Sequence, residues 1–385
     1  MSKLAYIVTG EPSGDILASR LMQALRQQQP DICFAGMGGE TMAELGFESL
    51  FDISEISVMG FWEVLPRLPL IAKRLRQVVA DIERRRPDVI VTIDSWGFVS
   101  VLLGRLQRRK VDIPKVNYVA PQVWAWKKGR ARTAAKLLDR LMTLWPYEPP
   151  YFEKYGLRCD FVGHPVVENT AAALNDDLTD FKRRHGIPSG GTLLCLLPGS
   201  RSHEVKRLLP IFKNVTARLS EHFPDLFVVI PSVAAIADEV RRTLADMPTP
   251  HCVPVGQRER YNAFRASSFA IAASGTVTLE LTACGAPHLI AYTFNPITNR
   301  IADKLVTSKY ANLINILADR FIIPEFTLSR CREDLIYQKA LELMLHPDRA
   351  QEQVAQAQQY FSLLKPPNML PSEKAAAVVL ETLYN

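Results

Sequence analysis

A turn between an apolar strand and a helix has the residue types that a phosphate-binding loop needs. Residues 195–205 read CLLPGSRSHEV, in which Gly199 and Ser200 follow the apolar run and Arg201 precedes a helix. Free backbone N–H groups at a helix N-terminus bind anions, and an adjacent guanidinium adds a planar charged donor. We therefore predict that this loop, together with Glu204, binds a phosphate or diphosphate. The alternative is an ordinary strand-to-helix turn with a solvated arginine.

A second turn has a similar composition. Residues 271–280 read IAASGTVTLE, so that a strand is followed by Ser274, Gly275 and Thr276 and then by a helix. Glycine lets a ligand approach the backbone, and the hydroxyls add hydrogen-bond donors. Glu280 lies about one helical turn further on and could accept hydrogen bonds from ribose hydroxyls. The alternative is a capped helix with an exposed glutamate. Two such loops in one domain favour a nucleotide diphosphate as the ligand.

Asp94 ends the apolar run VIVTID, which places a carboxylate at the carboxyl end of a strand. Parallel α/β sheets bind their ligands at that edge, and a carboxylate there could take a proton from a sugar hydroxyl. An aspartate with the ordinary pKa of about 3.9 is a weak base, so it would act as the hydroxyl attacks and its proton becomes acidic. The alternative, which the residues alone favour slightly, is an aspartate that caps the next helix.

These residues need parallel strands to bring them together, and the sequence predicts such strands in both halves. Apolar runs alternate with helical patterns, which is typical of α/β folds with parallel sheets and crossover helices. Each half repeats one plan of strand, Gly-rich turn and helix, seen in VTGEPSGD (8–15) and LLPGSRSHE (196–204). This repetition predicts two Rossmann-like domains in tandem.

We place the first domain at residues 1–167 and the second at 168–365. A C-terminal helix at about 366–385 is expected to cross back to the first domain. The polar segment 168–191 is predicted to be a linker. Neither turn is a standard nucleotide-binding motif. The motif GxxxxGK[ST] is absent, so P-loop chemistry is excluded. The G-x-G at 36–38 is not completed by the last glycine of a dinucleotide-binding motif, so dinucleotide binding is weakly supported.

Composition and length set further limits. A chain of 385 residues with 48% apolar and 22% charged residues is typical of a soluble protein with two domains. Met1-Ser2-Lys3 leads straight into a strand, and no apolar run is long enough to span a membrane, so we expect neither a leader nor a membrane span. The six cysteines form no C-x-x-C pair and the histidines show no metal spacing. We therefore expect reduced thiols, a cytoplasmic location, no bound metal and no cofactor.

Positive charge is concentrated in residues 60–140, which contain 18 Lys and Arg against 7 Asp and Glu, whereas the whole chain has a net charge of +6. Such a surface suits anionic lipid head groups or phosphorylated substrates. Nucleic acid is not expected as a partner, because no helix-turn-helix, zinc finger or RRM-like motif accompanies the charge. The alternative is a solvated helix face.

An apolar segment, VMGFWEVLPRLPLI (58–71), adjoins this positive charge. An apolar surface rimmed by basic residues would dock on an anionic membrane, and the alternative is a buried core helix. A second aromatic and basic cluster, at 119–132, contains Trp124 and Trp126. The residues that we expect at the membrane face are Phe61, Trp62, Leu65 and Leu68.

Several motifs, in conserved order and spacing over almost the whole chain, resemble the lipid-A-disaccharide synthase family. They are GEPSGD (10–15), VMGFWEVL (58–65), the strand that ends at Asp94, APQVWAWKKGR (120–130), FVGHP (161–165), LLPGSRSHEV (196–205), ASGTVTLE (273–280) and the Asn312–Asn315 region. The combination of GEPSGD with QVWAW is more specific than the SGT loop, which recurs in other GT-B glycosyltransferases.

The resemblance implies a GT-B fold and an inverting transfer of 2,3-diacylglucosamine from UDP to 2,3-diacylglucosamine 1-phosphate, which yields a β-1,6-linked disaccharide phosphate and UDP. It also implies a peripheral protein at the cytoplasmic face of the inner membrane of a Gram-negative bacterium, an anionic lipid surface as a partner, a homodimer with exchanged C-terminal segments, and no dedicated metal site.

The resemblance also assigns roles to single residues. Asp94 matches the general base, Arg201 the diphosphate ligand, Glu280 the ribose ligand and Asn315 an active-site asparagine. The expected acceptor-cleft residues are Glu11, Ser13, Gly14 and Gln122. The chain departs from the family after Asp94, where SWGFV replaces an A-P-D-F-N-like run. We therefore expect no second carboxylate near Asp94.

Two alternatives differ in class from this interpretation. One is another GT-B enzyme that acts on a UDP-sugar, either a different transferase or an epimerase. The other is a non-catalytic protein that binds acidic lipid at a membrane surface, which would associate with lipid without turnover. The basic, apolar character of residues 58–140 disfavours a soluble acceptor, and the catalytic residue types disfavour a pure lipid binder.

Overall fold

The computed structural model describes residues 2–384 except 58–60, 124–128, 172 and 295–308, and within 61–65 it describes the backbone alone. The chain forms two compact units. The first consists of Met1–Pro165 and Leu364–Asn385, and the second of Val166–Leu363. Each unit has its own parallel sheet and its own apolar core.

The first unit is an α/β sandwich around one parallel sheet. Its strands are β1 (Leu4–Thr9), β2 (Cys33–Met37), β3 (Val89–Ile93), β4 (Lys115–Tyr118), β5 (Arg140–Thr143) and β6 (Arg158–Phe161), and its first helices are α1 (Pro12–Gln28), α2 (Glu40–Ala43), α3 (Phe61–Arg85), α4 (Trp96–Arg108), α5 (Gly129–Leu137) and α6 (Pro149–Glu153). The strand order is β2-β1-β3-β4-β5-β6. Every residue of β3 is buried, as expected of a central strand that is covered by helices on both faces.

The second unit repeats this plan. Its strands are β7 (Leu193–Leu197), β8 (Phe227–Val229), β9 (His251–Cys252), β10 (Phe269–Ala272), β11 (His288–Tyr292) and β12 (Glu325–Thr327), in the order β12-β11-β10-β7-β8-β9. Its described helices are α7 (Val166–Ala171), α8 (Leu178–Arg184), α9 (Ser202–Ser220), α10 (Ala237–Thr243), α11 (Gln257–Ala266), α12 (Val277–Ala283), α13 (Leu313–Ala318), α14 (Glu333–Leu345) and α15 (Pro347–Phe361).

The last helix, α16 (Pro371–Tyr384), belongs to the first unit and packs on α1. A buried arginine on β5 holds it there. The Arg140 guanidinium donates to the Asp160 carboxylate at 2.9 Å, to the Glu381 carboxylate at 2.7 Å and to the Val378 carbonyl at 3.3 Å. Because Arg140 is almost completely buried, loss of its carboxylate partners would leave an uncompensated internal charge.

The predicted α/β fold with two Rossmann-like sheets and a returning C-terminal helix is confirmed, and parallel strands are present in both halves as the apolar runs predict. Three features differ. The segment 168–191 is not a linker but contains α8, whose fully buried Phe181 anchors it to the second core. The sequence predicts a helix over 69–85, but helix α3 begins at Phe61, so Pro66 and Pro69 lie inside it. Strand β12 was not predicted, because three residues with a single buried side chain leave almost no pattern.

Candidate active site

The turns that follow β1 and β3 form the first part of the site. These two strands pair in parallel, with Thr9 opposite Ile93, so their following turns lie side by side. One turn contains Glu11 and the other contains Asp94, and both residues line one cavity of about 740 Å³. The structure thus brings a second carboxylate close to Asp94, and the expectation that none would be near it was wrong. The second carboxylate comes from the neighbouring strand's turn, not from the residues after Asp94.

The cavity lies within the first unit and is apolar along most of its walls. Helices α3 and α4 contribute the walls, with Leu75 and Phe98 among them, and Arg105 and Arg130 add positive charge. Leu68 and Val101 line the cavity and are also 48% and 47% exposed. The cavity therefore joins an apolar surface to a pair of carboxylates.

Asp94 is half-buried in this cavity. Burial raises the pKa of its carboxyl group, the negative charge of Glu11 raises this pKa further, and the backbone N–H of Ser95 opposes both. Loss of water destabilises the ionised form, and so does a like charge nearby. Asp94 is consequently a stronger base than an ordinary aspartate, as a group that removes a proton near neutral pH should be.

The backbone at this turn is unusual. Asp94 and Ser95 have φ values of 52° and 44°, so two consecutive residues with side chains adopt the left-handed conformation. The Asp94 N–H donates to the Tyr118 carbonyl at 2.9 Å, and the Ser95 carbonyl accepts from Phe98 at 2.9 Å as α4 begins. Asp94 therefore has the backbone geometry of neither a strand nor a right-handed helix. Strained backbone of this kind is typical of functional positions.

The other residues of the predicted acceptor cleft divide into two groups. Gln122 lines the cavity with Glu11, whereas Ser13 and Gly14 do not. Ser13 is exposed, and Gly14 is buried against β1, where an added Cβ would lie 2.3 Å from the Thr9 hydroxyl oxygen. Gly14 therefore allows α1 to pack closely on the sheet, and its role in the acceptor cleft stays a prediction.

In the second unit, β7 pairs with β10, so the two predicted phosphate loops follow adjacent strands. In the first of these loops, a carboxylate of the chain itself occupies the expected anion position. Glu204 Oε2 accepts from the backbone N–H groups of Ser200 at 3.0 Å and of Arg201 at 3.2 Å. Direct binding of a diphosphate by Glu204 is therefore not supported, because these donors are already used and like charges repel. Gly199, at φ 115°, allows the close approach, since a Cβ there would lie 2.3 Å from Glu204 Oε2.

Two features of this loop remain suited to a phosphate. The Arg201 side chain is 55% exposed, with its Nη1 3.8 Å from Glu204 Oε1. Within the described part of the chain, the N–H groups of Ser202 and His203, the first two of α9, donate to no carbonyl or side chain. A helix N-terminus with such N–H groups and an exposed guanidinium beside it attracts phosphate oxygens.

The second predicted phosphate loop, residues 274–276, is fixed by a hydrogen bond to a neighbouring segment. The Ser274 hydroxyl donates to the Ala311 carbonyl at 3.2 Å, while Gly275 and Thr276 are exposed before α12. Gly275 has φ 145° and open space where a Cβ would be, so its backbone conformation is what requires glycine there. The exposed residues of this loop can be approached by a ligand.

Glu280 is neither exposed nor unpaired. Its Oε1 accepts from Arg260 Nη2 at 2.8 Å and from the Tyr261 hydroxyl at 3.1 Å. Burial raises the pKa of its carboxyl group, and Arg260 opposes that effect. The alternative of an exposed glutamate is thus excluded, and a contact with ribose stays a prediction.

Asn315 is fully buried, and its amide is fully used. Its Nδ2 donates to the Ile323 carbonyl and to Glu325 Oε1, both at 2.7 Å, and its Oδ1 accepts from the N–H groups of Ile322 and Ile323 at 2.8 and 2.9 Å. An amide can donate two hydrogen bonds and accept two, so no capacity is left for a ligand. Direct contact of Asn315 with a nucleotide is therefore not supported.

Asn315 instead supports the second loop through Glu325. The Glu325 carboxylate also accepts from the N–H groups of Ala311 and Asn312, both at 2.8 Å. The Ala311 carbonyl in turn holds Ser274. Sequence reasoning missed Glu325, Ser95, Arg105 and Arg130. Of these, Ser95 directly follows Asp94 and Arg130 ends the motif at 120–130, so these two gave a local signal.

Part of the predicted membrane face cannot be compared with the structure. The side chains of Phe61, Trp62 and Leu65 and all of Trp124 and Trp126 lie outside the described residues. Leu68 is described and is exposed at the mouth of the cavity. None of the described helices combines the length and apolarity that crossing a bilayer requires. Among the described residues, no three potential ligand side chains are grouped as a metal site would need.

Comparisons with known protein sequences identify one family over almost the whole chain. A family model described as lipid-A-disaccharide synthetase matches residues 5–379. A lipid-A-disaccharide synthase from Paramagnetospirillum magneticum is 44% identical over 382 residues, which cover 98% of this chain and 97% of the relative. One from Rhodospirillum centenum is 42% identical over 381 residues, which cover 99% of this chain and 94% of the relative.

Solved structures with a similar fold are much more distant in sequence. UDP-GlcNAc 2-epimerase from Neisseria meningitidis, bound to UDP-GlcNAc, has a TM-score of 0.63 at 12% identity and covers 100% of both chains. The S. aureus MnaA–UDP structure has a TM-score of 0.64 at 12% identity and covers 99% of this chain and 95% of its own. These similarities establish a two-domain GT-B type architecture and nothing about the reaction.

Proposed function

Because the chain belongs to the lipid-A-disaccharide synthase family, and is thus a glycosyltransferase of lipid A disaccharide synthesis, we propose how its residues perform the transfer. The donor is UDP-2,3-diacylglucosamine and the acceptor is 2,3-diacylglucosamine 1-phosphate. The acceptor 6-hydroxyl attacks the anomeric carbon from the face opposite UDP, and the bond to the UDP oxygen breaks with its electron pair. The products are the β-1,6 disaccharide 1-phosphate and UDP.

Asp94 takes the proton of the attacking hydroxyl. The observation that carries this assignment is the position of a half-buried carboxylate, with a raised pKa, at the polar end of an apolar cavity. The proton of the acceptor hydroxyl becomes acidic as the new bond forms. A carboxylate with a raised pKa is therefore able to remove it at that stage. Glu11 and Gln122, which line the same cavity, are placed to orient the acceptor sugar.

The same cavity suits the rest of the acceptor. Its apolar walls from α3 and α4 have the chemistry of an acyl-chain site, and Arg105 and Arg130 have the charge that a 1-phosphate needs. Burial of an acyl chain contributes about 0.8 kcal/mol for each CH₂ group that leaves water. The cavity therefore favours a lipid acceptor over a soluble sugar.

The second unit binds the UDP part of the donor. The exposed Arg201 guanidinium and the N–H groups of Ser202 and His203 would contact the diphosphate, together with Ser274, Gly275 and Thr276 of the neighbouring loop. Such donors stabilise the negative charge that develops as UDP leaves. Glu204 fixes the shape of the first loop, and Glu280 is the ribose ligand. Asn315 supports the second loop through its hydrogen bond to Glu325.

The enzyme would take its lipids at a membrane surface. Leu68 and Val101 provide exposed apolar side chains at the mouth of the cavity, within a basic region of the sequence. An apolar patch with basic residues around it binds an anionic bilayer. We place the protein peripherally at the cytoplasmic face of the inner membrane of a Gram-negative bacterium, as a homodimer.

Product analysis tests this function directly. The enzyme is incubated with UDP-diacylglucosamine and diacylglucosamine 1-phosphate, and the products are identified by mass spectrometry. A tetraacyl disaccharide phosphate and UDP are expected. An epimerised UDP-sugar would support the epimerase alternative, and lipid association without turnover would support the lipid-binding alternative. The identity of 42–44% to synthases over nearly the whole chain favours the transferase, whereas the epimerases share only the fold.

A further inference from the structure

We propose that the Ser95 hydroxyl is a positioning group that holds the Glu11 carboxylate beside Asp94, so that the negative charge of Glu11 acts on Asp94. This inference rests on the base role proposed for Asp94. Ser95 does not touch the reacting atoms in this account. It acts through Glu11, which comes from a different turn of the first unit.

A hydrogen bond between two turns carries the argument. The Ser95 hydroxyl donates to Glu11 Oε1 at 3.1 Å, across 84 residues of sequence. Gly10 belongs to the turn that contains Glu11, and a Cβ added to it would lie 3.0 Å from the Ser95 hydroxyl oxygen. The backbone of Gly10 therefore leaves just enough room for the hydroxyl to reach Glu11.

Ser95 directly follows Asp94, so the hydroxyl that binds Glu11 belongs to the same turn as Asp94. The backbone of Ser95 is left-handed in this turn, with φ 44°. Serine adopts that conformation at a cost, so the surrounding structure must hold it there.

The chemical consequence follows from the charges in the cavity. A negative charge near a carboxyl group raises the affinity of that group for a proton. Ser95 fixes the Glu11 carboxylate at the turn that contains Asp94, and the charge of Glu11 then raises the affinity of Asp94 for a proton. The other charged side chains that line this cavity among the described residues are Arg105 on α4 and Arg130 on α5.

Two substitutions separate the hydroxyl from the backbone. Ser95→Ala removes the hydroxyl and keeps the Cβ, while Ser95→Gly removes the hydroxyl and also relieves the left-handed backbone. If the hydroxyl is what matters, both variants lose about tenfold in kcat with the KM for the donor unchanged, and both unfold at the wild-type temperature. If Ser95→Gly retains wild-type kcat, backbone strain explains the loss in Ser95→Ala and the proposal is overturned.

A double-mutant cycle then tests whether Ser95 acts through Glu11. In the Glu11→Gln background, Ser95→Ala should cause no further loss of kcat, because the group it positions is already neutral. The acidic limb of the pH profile of kcat/KM should move to lower pH in Glu11→Gln, since the repelling charge is gone. In Ser95→Ala it should also move to lower pH, by a smaller amount, because the Glu11 carboxylate is then no longer held beside Asp94.

The outcomes also separate this inference from the proposed function. An equal loss from Ser95→Ala in the wild-type and Glu11→Gln backgrounds would overturn the positioning role alone. Turnover retained by Asp94→Asn would remove the base role and this inference together. An inactive Asp94→Asn beside an unaffected Ser95→Ala would leave the proposed function standing and refute the role of Ser95.

Discussion

The carboxylate of Glu204 accepts a hydrogen bond from the backbone N–H of Ser200 at 3.0 Å, four residues earlier in the chain. The same oxygen accepts from Arg201, so one side chain satisfies two N–H groups at the start of α9. A carboxylate there also interacts favourably with the positive end of the helix dipole. The first phosphate loop is therefore held in shape before any nucleotide binds, and the exposed Arg201 side chain lies beside it.

Removal of that carboxylate should loosen the loop. Glu204→Ala is expected to lower the free energy of unfolding by about 1 kcal/mol, because two N–H groups lose their acceptor. Glu204→Gln keeps an acceptor oxygen and should lose less than half as much. Urea unfolding followed by far-UV circular dichroism measures both. Equal stability of Glu204→Ala and wild type would mean that water replaces the carboxylate without loss.

The Arg201 guanidinium should contribute directly to the affinity for UDP. A hydrogen bond to a charged group contributes about 1.5–3 kcal/mol, so Arg201→Ala should weaken UDP binding by about 10- to 100-fold in calorimetry. Arg218→Ala is a matched control, since Arg218 lies in the last turn of the same helix. Loss of affinity in both variants would indicate a general electrostatic effect, and loss in neither would remove Arg201 from the diphosphate site.

Ionisation of Asp94 should lower the free energy of unfolding as the pH rises. Its pKa is raised in the folded protein above the ordinary value of an aspartate, so the folded state binds more protons than the unfolded state between those two pKa values. Stability therefore falls as the pH rises through that interval, and the loss persists at neutral pH. Asp94→Asn should remove it and raise the melting temperature at pH 7 relative to wild type, with little difference at pH 3. A lower melting temperature of the variant at pH 7 would contradict the raised pKa.

Membrane docking should depend on the exposed mouth of the acceptor cavity. Replacement of both Leu68 and Val101 by serine should lower binding to vesicles of phosphatidylglycerol and phosphatidylethanolamine by about tenfold or more, since about 1.5–3 kcal/mol is lost for each apolar side chain that no longer leaves water. Val233→Ser is the control, because this exposed valine lies in the second unit. Flotation measures binding. Unchanged flotation of the double variant would place the docking surface elsewhere.

The sequence predicted those parts of the site that are encoded locally. Asp94 follows a run of buried residues, and a carboxylate at the end of such a strand can be located without a structure. Arg201 precedes a helix whose start is marked by its own residues. The spacing of Arg201 and Glu204 also contains the signal of a capping glutamate, three residues after the N-cap, which would have predicted the contact of Glu204 with the loop.

The remaining parts depend on strand order and could not be predicted. Glu11 lies near Asp94 because β1 pairs with β3, although 79 residues lie between the two strands in sequence. Asn315 resembled a ligand-binding asparagine, yet its amide is used by Glu325 and by backbone groups that a linear sequence does not place beside it. Ligand roles assigned by motif alone therefore need the hydrogen-bond partners before they can be accepted.

The central claim is that Asp94 removes the proton of the attacking hydroxyl while the second unit binds UDP. Steady-state turnover and UDP affinity of Asp94→Asn, measured on the same preparation, test it most directly. We predict a loss of about 10²- to 10⁴-fold in kcat, the range expected for a missing general base, with a UDP affinity within twofold of wild type. Wild-type turnover by the folded variant would contradict the account.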